Sequence, residues 1–434
     1  MAKLTCYGGA GSATGANFLL EFEKNKILVD CGLLQGSALA VNANKEKFSY
    51  DPASIDALFA THAHIDHIGL IPKLYREGFR GDIYSTRATK SIAEFLLADA
   101  VKINADDAEP IYGADDVLGC LSLWKTLEYH QKLELNGIKV EFLNAGHILG
   151  SAMAQFSFPL DRKMLFTGDL GNSPSPLLPD VEKVGGLDYL LMESVYGDRN
   201  HESKEERDRE FERVVREAIG RKGTLLIPAF SLERTQVLLT KLKALLEEKK
   251  IPSVPVYLDS PLAIRITEIY ERVKEGNDFN FQELHETAKI ADSREIAEVR
   301  GAKIIIAGSG MSTAGRIVGH EEMYLPDPRA TILLAGYQAQ GTLGREIEEG
   351  LRSITIGEKK IIVRAKVEKI SGFSSHADSN ALVGFASESA KTLKKVFVAM
   401  GEPKSQIFLA QRLRDELGVD AVATEKGKSY ELDL

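Results

Sequence analysis

The chain has 434 residues, of which 44% are hydrophobic, and a formal net charge of −9. This length allows roughly two or three domains, and the acidic balance argues against nucleic-acid binding through diffuse basic attraction alone. Its apolar runs are too short for a membrane span of roughly 18 residues. Three widely spaced cysteines without a CxxC pair indicate no disulfide framework, so we expect a cytoplasmic protein with no membrane partner.

Short strands separated by Gly-rich turns dominate the first 200 residues. Apolar runs predict strands at Asn17–Phe22, Lys26–Asp30, Ala57–Thr61, Asp82–Ser85, Lys139–Leu143, Ala152–Phe158, Lys163–Thr167 and Tyr189–Glu193. Helical spacing of apolar residues predicts covering helices at Ile68–Arg76 and Lys90–Lys102. Polar residues end several of these strands, and loops on one rim of a sheet are where a site gathers.

From Ser203 onward, strands and helices alternate. Ser203 begins a capping-box pattern, SKEE, which predicts a helix start. The predicted elements that follow are Thr224–Pro228, a helix from Ser231 to Glu248, Val256–Leu258, a helix at Pro261–Lys274 and the strand Lys303–Ala307. This alternation predicts a parallel, doubly wound sheet.

Residues 61–67, THAHIDH, place three imidazoles and one carboxylate directly after a predicted strand. Histidine and aspartate are poor strand and core residues, so this density indicates a bound cation rather than packing. Side chains two residues apart in extended chain share a face, so His62 and His64 can bind one metal. Asp66 and His67 follow the turn and can reach a second.

Two later residues complete this cluster, His147 in AGHILGS and Asp169 in FTGDLG. Taken singly, His147 is equally explained as a loop histidine and Asp169 as a turn residue. Beside HxHxDH, they are predicted to be metal ligands. We expect His147 to join His62 and His64 on the first metal, and Asp169 to bridge to the second, which Asp66 and His67 also bind.

Imidazole and carboxylate ligands without thiolate suit Zn2+, with manganese or iron as alternatives. Two such ions about 3.5–4 Å apart activate a shared water and clamp both oxygens of an in-line displacement. This predicts hydrolysis of a phosphodiester or acyl bond through a metal-activated hydroxide. Asp30, after the apolar run 27–29, is predicted to orient a ligand, although a strand-end turn explains it equally well.

These motifs resemble the metallo-β-lactamase superfamily and, more narrowly, its β-CASP nucleases, in particular the bacterial and archaeal ribonucleases. Glu193 begins ESVYGD, which looks like motif A of that family, and Phe373 begins FSSHAD, which looks like motif B. The resemblance implies an αββα metallo-β-lactamase sandwich (1–202 and 366–434) with an inserted doubly wound parallel-sheet β-CASP domain (203–365). It also implies two zinc sites and single-stranded RNA as substrate, and it allows a homodimer.

One position departs from the family pattern. Val398 begins VAMGEP, a segment in which the ribonucleases usually carry a histidine that ligates the second metal, and here that residue is Met400. A thioether is a poor match for zinc beside carboxylates, so a weaker second site is predicted. The DNA-directed branch of the family also lacks this histidine.

Phosphodiester cleavage needs a group that protonates the leaving oxygen, and histidine is suited to this task. His376, in motif B, is the predicted general acid, oriented by Glu193. A helix-capping histidine and a carboxylate on the rim are the alternative interpretations. The residues predicted to serve catalysis are thus His376, Asp66, Glu193 and Asp30.

A Gly-rich turn at 308–316 follows a buried strand and is predicted to hold a phosphate, although tight strand-to-helix packing explains it equally well. An N-cap role for Ser231 is a further alternative, and His320, one turn past Arg316, could face the same cleft but is expected to be exposed to solvent. The predicted substrate contacts are Ser231, Arg234, Ser309, Gly310, Ser312, Arg316 and His320.

The leading hypothesis is therefore a zinc-dependent ribonuclease, acting as an endonuclease or also from a 5′ end, with RNA between the sandwich and the inserted domain. Two alternatives stay open: a DNA-directed β-CASP nuclease, and a weakly active RNA-binding subunit. A small-substrate hydrolase is disfavoured because it has no need of an inserted domain of about 160 residues.

Overall fold

The computed structural model describes residues 2–36, 38–103, 109–273 and 278–434. The chain forms two compact units, a first unit from Met1–Asn200 and Ser375–Leu434 and a second unit from His201–Ser374. The predicted insertion, 203–365, lies inside the second unit. In the described residues, no helix combines the length and the apolar character that crossing a membrane requires.

In the described residues, the first unit begins with eleven strands and five α-helices. The strands are β1 Ala2–Cys6, β2 Phe18–Phe22, β3 Asn25–Val29, β4 Ala57–Phe59, β5 Asp82–Ser85, β6 Trp124–Thr126, β7 Leu133–Leu135, β8 Ile138–Asn144, β9 Ala152–Ser157, β10 Lys163–Phe166 and β11 Tyr189–Met192. The helices are α1 Ala38–Lys45, α2 Ile65–Ile68, α3 Ile71–Arg76, α4 Arg87–Ile103 and α5 Ala114–Ser122.

The second unit follows. Its strands are β12 Thr224–Pro228, β13 Val256–Asp259, β14 Leu284–Glu286, β15 Lys303–Ala307, β16 Thr331–Leu334, β17 Ser353–Ile356, β18 Lys359–Ile362 and β19 Lys366–Lys369. Its helices are α6 Lys204–Gly220, α7 Arg234–Glu247, α8 Pro261–Val273, α9 Ile290–Glu295, α10 Arg316–Tyr324 and α11 Leu343–Glu348. The chain then returns to the first unit with α12 Ser379–Ser387, β20 Lys395–Val398, α13 Pro403–Leu417, β21 Ala421–Ala423 and β22 Ser429–Leu432.

Two seven-stranded mixed sheets form the first unit, in the orders β22-β1-β2-β3-β4-β5-β6 and β21-β20-β11-β10-β9-β8-β7. Aromatic side chains of both sheets meet between them: the Phe59 ring on β4 lies 6.0 Å from Phe142 on β8 and 5.4 Å from Phe156 on β9. A second apolar cluster on the outer face of the other sheet includes Leu382 of α12 and Leu409 of α13. This is the predicted sandwich.

Two local differences from the predicted elements affect the site. Strand β4 ends at Phe59, so residues 60–64 form a loop rather than the end of a strand. The helix predicted at 68–76 is two helices, and α2 begins at Ile65 and so contains Asp66 and His67. His64 is still extended, whereas the backbone is helical from Ile65, so Asp66 and His67 lie on a helical turn and not in extended chain.

The second unit contains a six-stranded, entirely parallel sheet in the order β14-β13-β15-β12-β16-β19. The connection that leaves β12 runs towards β13 and the one that leaves β15 runs towards β16, so the connections of these two neighbouring strands run in opposite directions along the sheet, as in doubly wound folds. The predicted capping box is present, with the Ser203 hydroxyl accepting a hydrogen bond from Glu206 N. Strand β19, which we expected in the second part of the sandwich, instead extends this sheet by pairing with β16. Lys274, predicted to end a helix, lies outside the described residues.

Candidate metal centre

The polar residues predicted as ligands lie where strands of the first unit end. Asp30 follows β3, His62 follows β4, His147 follows β8 and Asp169 follows β10. Glu193 comes directly after β11. These carboxyl ends share one rim of the sandwich, which brings together side chains that are up to 163 residues apart in sequence.

Three imidazole nitrogens converge at this rim. His64 Nδ1 lies 3.1 Å from His62 Nε2 and 3.2 Å from His147 Nε2. Asp169 Oδ2 lies 3.4 Å from His62 Nε2 and 3.6 Å from His147 Nε2. Ligands about 2.0–2.1 Å from a tetrahedral metal are themselves separated by roughly 3.3 Å. The spacing of these four atoms therefore fits a single zinc-sized cation.

A second set of donors adjoins the first. His67 Nε2 lies 3.4 Å from Asp169 Oδ2, and among the described residues neither His67 Nε2 nor Asp169 Oδ1 has a hydrogen-bond partner, although both are buried. A buried polar atom without a partner is costly. A cation that binds both atoms would remove that cost, so the donors present fit a second metal as well.

Asp30 and Thr61 fix the orientation of two predicted ligands, His62 and His67. Asp30 is buried, and its Oδ2 accepts a hydrogen bond from His67 Nδ1 at 2.7 Å. The same carboxylate accepts hydrogen bonds from Thr61 N and Thr61 Oγ1, both at 2.8 Å. Because Thr61 Oγ1 donates to Asp30, it is an acceptor for His62 Nδ1–H at 3.0 Å. These contacts set the tautomers that leave Nε2 of His62 and Nε2 of His67 as the acceptor nitrogens, the form in which imidazole can bind a metal.

Burial favours the uncharged form of the three imidazoles that converge at the rim. It is the main cause that lowers the pKa of His62, His64 and His147 below the usual histidine value. Burial opposes ionisation of Asp169, but the neighbouring His67 and His62 outweigh it and hold the pKa of that carboxyl well below its usual range. Neutral imidazoles beside a carboxylate are the protonation states that metal binding requires.

Glu193 and His376 form a pair beside these ligands. His376 Nδ1 lies 3.2 Å from Glu193 Oε2 and 3.9 Å from Asp169 Oδ2. Glu193 is fully buried and also accepts a hydrogen bond from Leu170 N at 2.6 Å. Burial lowers the pKa of His376, but Glu193 and Asp169 outweigh it, so the net pKa is raised. His376 therefore favours the protonated form.

Asp66 and Met400 stand apart from these groups. In the described residues, donors within 4.8 Å of one another fall into two groups, His62–His64–His147–Asp169 and Asp169–Glu193–His376, and Asp66 belongs to neither. Burial raises the pKa of Asp66. Met400 is buried within the apolar cluster between the sheets, and its Sδ lies so close to Gly9 that a Cβ built there would be 2.5 Å away.

The predicted substrate contacts all belong to the second unit, and a buried carboxylate engages two of them. Asp259, at the end of β13, accepts hydrogen bonds from Arg316 Nη1 and from His320 Nε2, the latter at 2.7 Å. Thr287 and Ser293 also donate to Asp259. Burial opposes ionisation, but these four donors lower the pKa of Asp259 to about 2. The expected exposure of His320 is wrong, because the ring is buried against this carboxylate.

The side-chain hydroxyl groups of the Gly-rich turn at 308–316 make hydrogen bonds within the second unit. The Ser309 hydroxyl accepts hydrogen bonds from Thr313 N and Ala314 N. The Ser312 hydroxyl donates to the buried Glu321. A Cβ at Gly310 would lie 2.6 Å from the Phe230 ring, so this glycine allows tight packing.

The two remaining candidates lie in and before α7. Ser231 is not the N-cap of α7, because that position is Glu233; its hydroxyl lies 3.5 Å from that of Ser260. Arg234, in the first turn of α7, is buried, and a Cβ at Gly336 would lie 2.0 Å from its Nη1.

Sequence reasoning missed the residues that support the ligands. Besides Thr61, these are Ser151, whose hydroxyl accepts a hydrogen bond from His147 N at 2.9 Å, and Ser375, whose carbonyl oxygen accepts one from His147 Nδ1 at 3.1 Å. Ser151 lies four residues after His147, so its position in the same loop was a usable signal. Ser375 is 228 residues away, and nothing local connects it with His147.

Three family models match the chain: a Beta-Casp domain at residues 235–347, the anti-Pycsar protein Apyc1 at 7–194, and a Zn-dependent metallo-hydrolase RNA specificity domain at 360–424. Among curated proteins, Ribonuclease TTHA0252 of Thermus thermophilus is 36% identical, over 88% of this chain and 90% of its own length. Transcription termination factor FttA of Methanosarcina mazei is 31% identical, over 97% of this chain and 70% of its own length.

A solved structure has the same fold. The crystal structure of a protein of unknown function from Enterococcus faecalis V583 matches with a TM-score of 0.58, over 99% of this chain and 100% of that chain. Its sequence is only 15% identical, so this likeness concerns the fold alone.

Proposed function

Because the chain belongs to the β-CASP nucleases of metallo-β-lactamase fold and is a metal-dependent ribonuclease, we propose that it hydrolyses single-stranded RNA at the rim formed by His62, His64, His147 and Asp169. The observation that carries the proposal is the convergence of three neutral imidazoles on one carboxylate, beside a buried His67 Nε2 that has no hydrogen-bond partner in the described residues.

Zinc is the metal that we assign to the first position. His62 Nε2, His64 Nδ1 and His147 Nε2 would hold it together with Asp169. Nitrogen and carboxylate donors without thiolate, at this spacing, are typical of catalytic zinc sites. Manganese is the alternative for the same donors.

The second position has fewer donors. His67 and the shared Asp169 would hold a second ion there, whereas Asp66, the third predicted ligand, lies outside both groups of convergent donors in the described residues. The place of the usual histidine is taken by Met400, whose sulfur packs near Gly9 inside the apolar cluster. We therefore propose that the second ion binds more weakly than the first.

When bound, the metals supply Lewis acidity and a water of lowered pKa. The proton for the leaving oxygen comes from His376 in our assignment. Glu193 accepts the hydrogen bond of His376 Nδ1 and stabilises the imidazolium, so the transferred proton is that of Nε2. Buried Glu193 is itself fixed by Leu170 N, which keeps the pair from rotating.

Four of the seven substrate contacts predicted in the second unit receive a role here. Arg316, His320 and Ser312 donate to carboxylates of their own unit, so we propose that they shape the loops that meet RNA. Ser231, in the loop after β12, is proposed to contact a phosphate directly, since the connections that leave the neighbouring strands β12 and β15 run in opposite directions there.

The test is metal-dependent cleavage of single-stranded RNA by the native protein, by His64→Ala and by His376→Ala. We expect both variants to lose cleavage, but only His64→Ala to lose bound metal. His130→Ala is the matched control, because His130 is exposed and belongs to neither group of convergent donors in the described residues. A matched deoxy strand tests the choice of nucleic acid, since only RNA offers the 2′-OH. Tight RNA binding without cleavage under zinc or manganese would contradict the proposal.

A further inference from the structure

The second unit contains a small hairpin, β17–β18, one side of which faces solvent. Among the described residues, strands β17 and β18 pair only with each other, with Ile354 opposite Ile361 and Thr355 opposite Lys360. Ile354 and Ile361 are buried in the core of the unit. Alternation along a strand therefore directs Thr355, Lys360 and Ile362 to the opposite, solvent-facing side.

This hairpin concentrates positive charge in an acidic protein. Residues 352–364 contain four basic residues and one acidic residue, whereas the whole chain has a net charge of −9. Lys359 is neutralised by Glu322. Arg352, Lys360 and Arg364 are exposed, and in the part of the chain that the structure describes no ion pair joins them to a carboxylate.

The unpaired state of these three cations contrasts with their surroundings. Lys366, two residues beyond Arg364, pairs with both Glu217 and Glu368. Acidic partners are thus present in the same unit, and the neighbouring cations use them. One exposed cation on the hairpin, Lys360, and two at its base, Arg352 and Arg364, create a local positive field that the net charge of the protein conceals.

The rest of the hairpin indicates what this field recognises. Residues 351–366 include no aromatic side chain, so they offer no platform on which bases can stack. Exposed Ile362 and Leu351 provide apolar contact without hydrogen bonds. A ligand bound here is therefore held by its charge and not by its bases, which describes the phosphate backbone of a nucleic acid.

We propose that Arg352, Lys360 and Arg364 bind the phosphate backbone of the RNA substrate, as a contact separate from the metal centre and independent of base sequence. The inference rests on the proposed function, because that function supplies the polyanion. An acidic chain that acts on RNA must overcome general repulsion, and placed cations do this where a diffuse charge does not.

The experiment compares the native protein with the triple variant Arg352→Gln, Lys360→Gln, Arg364→Gln. Binding of labelled oligouridine and oligoadenine is measured over a range of salt with His376→Ala added to each protein, a substitution that we expect to prevent cleavage without loss of metal. Loss of three phosphate contacts lowers the slope of log K against log salt by about 2. We also expect affinity to fall at least about tenfold at low salt for both oligomers, with kcat unchanged at saturating RNA.

The matched control is Arg87→Gln, Lys125→Gln, Lys183→Gln, which removes the same charge from exposed residues of the first unit that already pair with acids. An equal loss of affinity in this control would overturn the proposal, because the effect would then come from net charge. Equal thermal unfolding of all three proteins shows that the substitutions leave the fold intact.

Failure of the hairpin and failure of the proposed function give different results. If the native protein does not cleave RNA, the proposed function fails. If it cleaves RNA and the triple variant keeps the native affinity and salt slope, the hairpin proposal fails alone. Binding of anionic phosphatidylserine vesicles that the triple substitution abolishes, with RNA binding unchanged, would overturn the proposal in favour of a membrane surface.

Discussion

Replacing Asp30 with asparagine tests how far the metal centre depends on residues that do not bind metal. Asp30 is buried and accepts three hydrogen bonds, from His67 Nδ1 at 2.7 Å and from Thr61 N and Thr61 Oγ1 at 2.8 Å. Asparagine keeps one acceptor oxygen but places an NH2 group against buried donors. His67 then loses the carboxylate that fixes its tautomer.

The expected effect is a 10- to 100-fold loss of metal affinity, the usual result of removing such a partner, or about 1.4–2.7 kcal/mol. The loss should fall mainly on the second ion, because Asp30 contacts His67 directly and reaches His62 only through Thr61. Thr61→Val should show the reverse preference, since it removes the acceptor of His62 Nδ1–H.

The assay is competition for zinc against a chelating dye, fitted to two sites, in both variants and in the native protein. Asp56→Asn is the matched control, because Asp56 accepts a hydrogen bond from Lys26 N but contacts no ligand of the centre. If Asp30→Asn retained native affinity at both sites, or if Asp56→Asn lost as much, the reasoning from the His67–Asp30–Thr61 contacts would be refuted.

Three further predictions concern the second ion and the second unit. Met400→His should raise the metal content after dialysis from about one towards two ions per chain by elemental analysis; two tight ions in the native protein would refute the weak second site. Asp259→Ala leaves Arg316 and His320 without their acceptor and should cost about 3 kcal/mol or more in urea unfolding, whereas Asp327→Ala, at an exposed pair with Arg329, should cost less than about 1 kcal/mol. Burial raises the pKa of Glu321 to about 7, so the stability it contributes is present below its unfolded pKa and is lost as pH rises through about 7. Glu321→Gln should therefore stabilise the protein at about pH 9, by on the order of 3 kcal/mol at most, and not at about pH 4; equal unfolding temperatures at the higher pH would contradict this.

The alternation of strands and helices could be predicted from the sequence because its signals are local. Apolar runs of four or five residues and the capping box at Ser203 depend on neighbours in sequence, and most of the predicted elements are present within one or two residues. The pairing of strands that are distant in sequence could not be predicted. Strand β22 joins the edge of a sheet by pairing Thr5 with Ser429, and β19 joins the insert rather than the sandwich.

The sequence by itself determined the chemistry of the rim. HxHxDH, His147 and Asp169 each follow a strand, and residue type alone restricts such a cluster to few uses. Only the tertiary structure decided which ring nitrogen of each histidine faces the cluster and which hydrogen-bond partner each side chain has. It directs Nδ1 of His64, but Nε2 of His62 and His147, into one group, and it commits Arg316 and His320 to Asp259. The physical reason is that ligand type follows from side-chain chemistry, whereas tautomer, hydrogen-bond partner and burial depend on residues that only folding brings together.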